Sequence, residues 1–271
     1  MLQQVEVKEL TTAEQLQQLQ VLDKEIWEAD ALPTHQTLGA IRNGGILLGA
    51  YYQGELVGFS YSFIGFKDGQ MYVNSHKLGV KQVYREHGIG ELLKHQQKQI
   101  AKDRGYDEIR WVFDPLESTN ATLGFAKLGA ISQTYVNDYY GQLDDYFNSG
   151  LPSDRIVAEW WVQRSHADDV IEELAEEAKP VVSWQVTAAG LPALASFDAE
   201  QAYTQDAYTV AIPQYFQKLK VESPQLAEDW RYKMRAILST LFAQGYAIVD
   251  VIRGAEHVNH YVLVKRAILA L

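Results

Sequence analysis

The stretch VYREHGIGELLKHQ, Val83 to Gln96, sets Arg85, Gly88 and Gly90 at the mouth of a segment of helical composition. The residues before it, MYVNSHKLGV, read as a strand, so the order is strand, short loop, two glycines, helix. The first turn of a helix has backbone N–H groups without partners, and the helix dipole adds positive potential there. Glycine lets an anion approach that backbone because no Cβ stands in the way. The stretch therefore reads as a cradle for a diphosphate, with Arg85 adding charge. A tight turn leading into a helix is the plain structural alternative.

Two phosphate-binding patterns fit poorly. A nucleoside-triphosphate loop needs Gly-Lys-Ser/Thr at the helix start, whereas Gly90 is followed by Glu91 and Leu92. A dinucleotide fingerprint wants a third glycine where Leu93 stands, and it opens a parallel sheet. Here ILLGAYY, ELVGFSYSFIGFK and MYVNSHKLGV follow one another, joined by QGE and KDGQ, which predicts an antiparallel meander.

The 271 residues suit one large domain or two modest ones, and 47% hydrophobic content is enough for a core. A net charge of −11 argues against a nucleic-acid partner, which calls for a basic stripe. The absence of cysteine excludes disulfides, thiolate metal sites and a thiol nucleophile. No apolar run is long enough to span a bilayer, and MLQQVEVKEL does not read as a signal peptide, so a cytoplasmic protein without a membrane partner is expected.

Around the glycine stretch the chain reads in order. QVEVKEL is a strand, Thr11 or Thr12 caps a helix through AEQLQQLQVLDKEIWEA, and a second helix stops at Gly44 and Gly45. After the meander and the glycine helix, which ends near Gly105, EIRWVF is a strand closed by Pro115. STNATLGFAKLG is a short helix, and AISQTYV and RIVAEWWV are strands separated by a long loop. From about Ser165, an acidic helix, the strand VVSWQV, a long helix with Ser223 and Pro224 at its start and Gly245 past its end, and the strands YAIVDVI and HYVLVKR complete the chain.

REHGIG matches the Arg/Gln-x-x-Gly-x-Gly/Ala signature of the GNAT acetyltransferase superfamily, and the first 160 or so residues follow the element order of that fold. DPL, the S-x-N-A and KLGA that follow it, YYG, GLPSDR and IPQYFQKLK resemble a two-part subgroup of that superfamily. The resemblance implies an α/β (α+β) GNAT fold, with a central mixed, mostly antiparallel sheet flanked by helices. Residues 1–165 would form the acetyltransferase-like domain and 166–271 a smaller α+β region. It also implies acetyl-CoA as co-substrate and direct transfer of the acyl group to the amine of a small-molecule or aminoacyl acceptor. A homodimer is compatible with it. A non-catalytic acyl-CoA sensor on the same fold is the alternative.

Carried over by position, Leu78, Gly79 and Val80 would pair with the pantetheine arm. Arg85, Glu86, His87, Gly88, Ile89 and Gly90 would hold the diphosphate. Asn120 resembles an asparagine near the cofactor arm, with a helix cap as its other reading. Relatives often place a glutamate on the strand before the loop; here stand Asn74, Ser75, His76 and Lys77. His76 is either the base or a hydrogen-bonded core histidine. Relatives also often carry a tyrosine acid where this chain has Phe125, which leaves Tyr135, Tyr139 and Tyr140 as substitutes. Asp114, at a strand end, can bind an amine, assist a base or cap a turn. Asp144, Asp145 and Asp154, in the acidic and aromatic insertion, could attract a cationic amine.

Overall fold

The computed structural model describes residues 5–27, 31–141, 150–164, 168–269 and 271, with the side chains of 168 and 169 left aside. Asp144 and Asp145 lie outside the described residues. The chain divides into two compact units. One comprises Met1–Trp111 with Trp160–Gln163, the other Val112–Glu159 with Arg164–Leu271.

In the first unit, β1 (Glu6–Glu9), β2 (Leu47–Tyr52), β3 (Glu55–Lys67) and β4 (Gln70–Val80) pair antiparallel in chain order, as the meander pattern predicts. The turn between β3 and β4 has Asp68 at φ 54° and Gly69 at φ 80°, the left-handed pair that a two-residue hairpin requires. Helix α1 (Ala13–Trp27) begins with a reciprocal cap. Gln15 Oε1 accepts from the Thr11 and Thr12 amides at 2.9 and 3.0 Å, and the Gln15 amide donates to Thr12 Oγ1 at 3.3 Å. The stripe Leu16, Leu19 and Leu22 packs with Leu10, Leu47, Leu56, Phe59 and Tyr61. Helix α2 is Thr34–Arg42. Helix α3 (Ile89–Asp103) buries Ile89, Leu93, Gln97 and Ala101 at four-residue spacing, together with Lys94.

β5 (Glu108–Phe113) lies parallel to β4. β6 (Tyr135–Val136) and β7 (Arg155–Trp161) are antiparallel. The large sheet has the order β1-β2-β3-β4-β5-β7-β6, and the division between the units runs through β5 and β7. The sheet is mixed, with β4–β5 parallel and the pairs β1–β2, β2–β3, β3–β4 and β6–β7 antiparallel.

The second unit holds α4 (Ser118–Ala121), which continues as a π turn over Thr122–Lys127, and α5 (Asp168–Glu177). Strands β8 (Lys179–Pro180), β9 (Trp184–Val186), β10 (Pro192–Leu194) and β11 (Ala207–Pro213) follow. Helices α6 (Phe216–Glu222) and α7 (Pro224–Ala243), then β12 (Tyr246–Ile252) and β13 (Val258–Lys265), end it. A four-stranded sheet runs β12-β13-β11-β8, and β9 pairs with β10 apart from it. Ser223 is the residue before α7 and Pro224 its first, although no side-chain hydrogen bond closes that cap. Among the described residues, no helix is long and apolar enough to cross a membrane, and no group of three or more His, Asp or Glu could hold a metal.

Candidate functional site

Strand β4 carries the first feature of the site. Its pairing with β3 runs Tyr61↔Lys77 and then Ser62↔Ser75, so His76 is an extra residue, a β-bulge. On its other edge β4 pairs with β5 at Val73↔Ile109 and Asn74↔Arg110 only. Among the described residues, the backbone edge of β4 toward β5 carries no strand partner from Ser75 to Val80, and the two strands form a fork whose apex is Ser75 on one arm and Trp111 on the other. Leu78, Gly79 and Val80 lie along the open arm, each paired on its β3 side, with Ser60, Phe59 and Gly58.

The loop after β4 supplies the second feature. Arg85, Glu86 and His87 are exposed. Glu86 (φ 66°) and Gly88 (φ 80°) both have left-handed backbone, which is costly for the glutamate and free for the glycine. Gly88 is the N-cap of α3, and no side chain closes that cap. A Cβ built on Gly90 would meet only Leu78 Cδ2, at 3.6 Å, so the space before the first turn is open because residue 90 has no side chain. Arg85 Nε donates to the Val80 carbonyl at 3.1 Å, which ties the loop back to the end of β4. Ile89 is buried and anchors the helix start. A helix entrance with bare amides, a dipole and an adjacent guanidinium fits the diphosphate of coenzyme A.

His76 stands at the bulge with its ring edge-on to Tyr61 at 6.0 Å and tilted against Phe63 at 5.5 Å. Desolvation by these neighbours, with the Lys77 cation, pushes its pKa below the ordinary imidazole value, and Asp23 opposes the shift. Lys77 is itself held by Asp23 at 2.5 Å.

Sequence reasoning passed over Lys94. It occupies the inward face of α3, is 3% exposed, and donates to Ser75 Oγ at 2.7 Å. Its Nζ lies 3.9 Å from the Trp111 ring centroid and 3.5 Å from Gln97 Oε1. Lys94 falls among Ile89, Leu93, Gln97 and Ala101 at helical spacing, and that register was its signal in the sequence.

Asp114, Asn120 and Tyr135 belong to the second unit. Asp114 closes a turn by accepting from the Leu116 amide at 2.9 Å, the capping role weighed from the sequence, and its other oxygen pairs with Arg231 of α7. Asn120 is exposed within α4, and Glu117 rather than Asn120 holds the cap position. Tyr135 donates to Asp154 Oδ2 at 2.7 Å. Burial and that carboxylate push the phenol's pKa up. Asp154, fully buried, also receives Arg235 at 2.6 and 2.8 Å and the Asp138 amide at 2.9 Å. Burial would raise its pKa, but the bonds from Arg235, Tyr135 and Asp138 outweigh it and hold the carboxyl below its ordinary value. Phe125 is buried against Phe113 and Tyr261. Tyr139 and Tyr140 are exposed and meet edge to face at 4.6 Å.

Side chains from residues 217–261 hold the turn around Asp114 at four points. Arg231 takes Asp114, and Tyr261 donates to the Pro115 carbonyl at 2.8 Å. Gln217 donates to Glu117 at 2.5 Å, and Asn259 to Ser118 Oγ at 2.6 Å. Burial raises the Glu117 pKa, while the bond from Gln217 works against that.

The family described as "Acetyltransferase (GNAT) family" matches residues 11–130, which include the fork and the glycine loop. No curated protein matches the chain. Solved structures with a similar fold include the ribosomal-protein-S18-alanine N-acetyltransferase of Escherichia coli, at 14% identity and a TM-score of 0.47, covering 60% of this chain and 96% of that one. The Naa50 protein of Arabidopsis thaliana, in complex with a bisubstrate analogue, shares 22% identity at a TM-score of 0.47, covering 57% and 97%. The PaiA N-acetyltransferase of Thermoplasma acidophilum, in complex with coenzyme A, shares 20% identity at a TM-score of 0.43, covering 58% and 99%. Residues 11–130 are thus similar to the acetyltransferase (GNAT) family, over a little under half of the chain.

Proposed function

We propose that the protein transfers an acetyl group from acetyl-CoA directly to the nitrogen of a small amine or aminoacyl acceptor. The observation that carries this reading is the fork: a bulge at His76 coincides with the end of β4–β5 pairing and leaves the Ser75–Val80 edge free. In this reading the diphosphate lies on the amides of Gly88 to Gly90 beside Arg85, Glu86 and His87. The pantetheine arm runs back along Val80, Gly79 and Leu78. At ~3.3 Å per residue, the path from Val80 to Ser75 spans about 16 Å and ends at the bulge. There the lowered pKa of His76 favours the neutral imidazole, the form that accepts a proton from an incoming ammonium. Asn120 serves the cofactor arm. The bonds that occupy Asp114, Tyr135 and Asp154 favour a structural part for all three. In this reading the acetyltransferase-like domain is residues 1–165, followed by the α+β region 166–271.

Acetyl-CoA binding tests the reading. At about 100 times the dissociation constant, the native state gains roughly 2.7 kcal/mol, which raises the Tm by about 2–4 °C per kcal/mol for a chain of this size. An unchanged Tm at millimolar acetyl-CoA overturns it. One observation favours a second reading, a sensor that binds acyl-CoA without turnover: Phe125 stands where relatives place a phenol, and it is enclosed by Phe113 and Tyr261. Release of CoA across a panel of small amines excludes the sensor.

A further inference from the structure

Transfer from a thioester needs a proton for the departing sulfur, and in this chain the phenol that would supply it is replaced by Phe125. We propose that Lys94 is the group that meets the departing thiolate of coenzyme A, directly or through the Ser75 hydroxyl.

Two of the residues in contact with the Lys94 amine, Ser75 and Trp111, are the first past the last paired residues of β4 and β5 (Val73↔Ile109, Asn74↔Arg110). The amine therefore sits at the apex of the fork, where an arm laid along β4 from the diphosphate loop comes to its end. Gly88 and Lys94 are six residues apart on one helix, about 9 Å along its axis, so α3 itself fixes the amine relative to the cradle. Its polar neighbours are Ser75 and Gln97, and among the described residues no carboxylate pairs with it. The other charged or titratable side chains on the elements around it are engaged or directed elsewhere. Lys77 is held by Asp23, Arg110 by Glu108, and His76 packs against Tyr61 and Phe63. On α3, His95 and Lys98 pack on Trp160, and Glu91 lies 4.0 Å from His95. A buried amine with no counter-charge is costly, and burial brings the Lys94 pKa down to about 7, where it can both give and regain a proton at neutral pH.

The step balances without a further reactant. The neutral acceptor amine attacks the thioester carbon and a C–N bond forms. The tetrahedral adduct collapses, the C–S bond breaks, and its electron pair goes to sulfur. The proton on Lys94 moves to the thiolate, leaving a neutral lysine, which is recharged by the proton that the acceptor nitrogen sheds.

The proposal rests on the acyl-transfer reading, and a test with CoA alone separates the two. The thiolate absorbance of bound CoA is titrated across neutral pH in the native protein, in Lys94→Met and in Lys94→Gln, with affinity measured in parallel. The expected result is unchanged CoA affinity and about tenfold or more less thiolate in both variants at a given pH, the effect of losing a cation beside the sulfur. Equal thiol titration in the native protein and in a variant that still binds CoA overturns the role of Lys94 and leaves acyl transfer standing. Failure of the native protein to bind CoA overturns both.

Discussion

Helices α3 and α7 each carry a buried cation, Lys94 on the first and Arg231 on the second, and their surroundings differ. Lys94 of α3 has one hydroxyl, one amide oxygen and an indole face. Arg231 of α7 has the carboxylate of Asp114, with Tyr135 and Asp154 acting on it, and they hold its charge firmly against burial. A buried charge with its counter-ion is a structural commitment, and it does not change state near neutrality. A buried amine without one is balanced between two protonation states, which a fold keeps only at a stability cost. The comparison teaches where to look for chemistry: in the sparsely bonded fork of the first unit rather than in the saturated cluster of the second, although the second is richer in ionisable groups.

Substitution of each cation by methionine breaks or sharpens this contrast. Arg231→Met leaves Asp114 buried without its partner, and a loss of about 3–5 kcal/mol is expected in urea unfolding. A loss below about 1 kcal/mol would show that the pair is not a commitment of the second unit. Lys94→Met has the opposite sign and a smaller size, a gain of about 2 kcal/mol at and below neutral pH, because an unpaired ammonium gives way to an apolar side chain. The gain carries its own pH signature. The folded lysine has its pKa lowered to about 7 from 10.5, so between those values the unfolded chain holds a proton that the folded chain has released. Native stability therefore rises with pH across that window, and the advantage of the variant shrinks over it. A pH-independent difference would place a carboxylate partner on Lys94 and end the contrast.

The smallest effect is expected at the helix entrance. Gly90→Ala removes a glycine from the first turn of α3 and adds a Cβ with room to stand, so stability changes by about +0.5 to +1 kcal/mol. If the diphosphate lies on the amides of this turn as proposed, the same methyl crowds it, and weaker acetyl-CoA binding accompanies the stabilisation. Tighter binding by this more stable variant would move the diphosphate away from the loop.

Much of this was legible in the sequence because it is local. The hairpin at Asp68–Gly69, the helix entrance at Gly88 and the start of α7 at Ser223–Pro224 are each written within a few residues, as turn and cap chemistry is. The bulge at His76 was not, since a shift of register belongs to the pairing of β4 with β3 rather than to either strand alone. Lys94 was hidden by a rule that is sound on average, that lysines on helices face water. Asp114 was legible as a turn residue, but its partner lies 117 residues away in α7, and nothing in either segment announces the other. The strands β8 and β10 have two and three residues, too few for any alternation to register, whereas β9 is the second half of the VVSWQV strand read from the sequence.

The four-point hold on the Asp114 turn has a practical consequence for anyone who trims the chain. A fragment ending at residue 165 keeps the whole glycine loop and the whole fork, yet it discards Gln217, Arg231, Asn259 and Tyr261 at once, stranding Asp114 and the Pro115 carbonyl. Such a minimal enzyme would look complete on paper and be crippled in the tube. The C-terminal hundred residues are better treated as scaffolding built in place than as a detachable accessory.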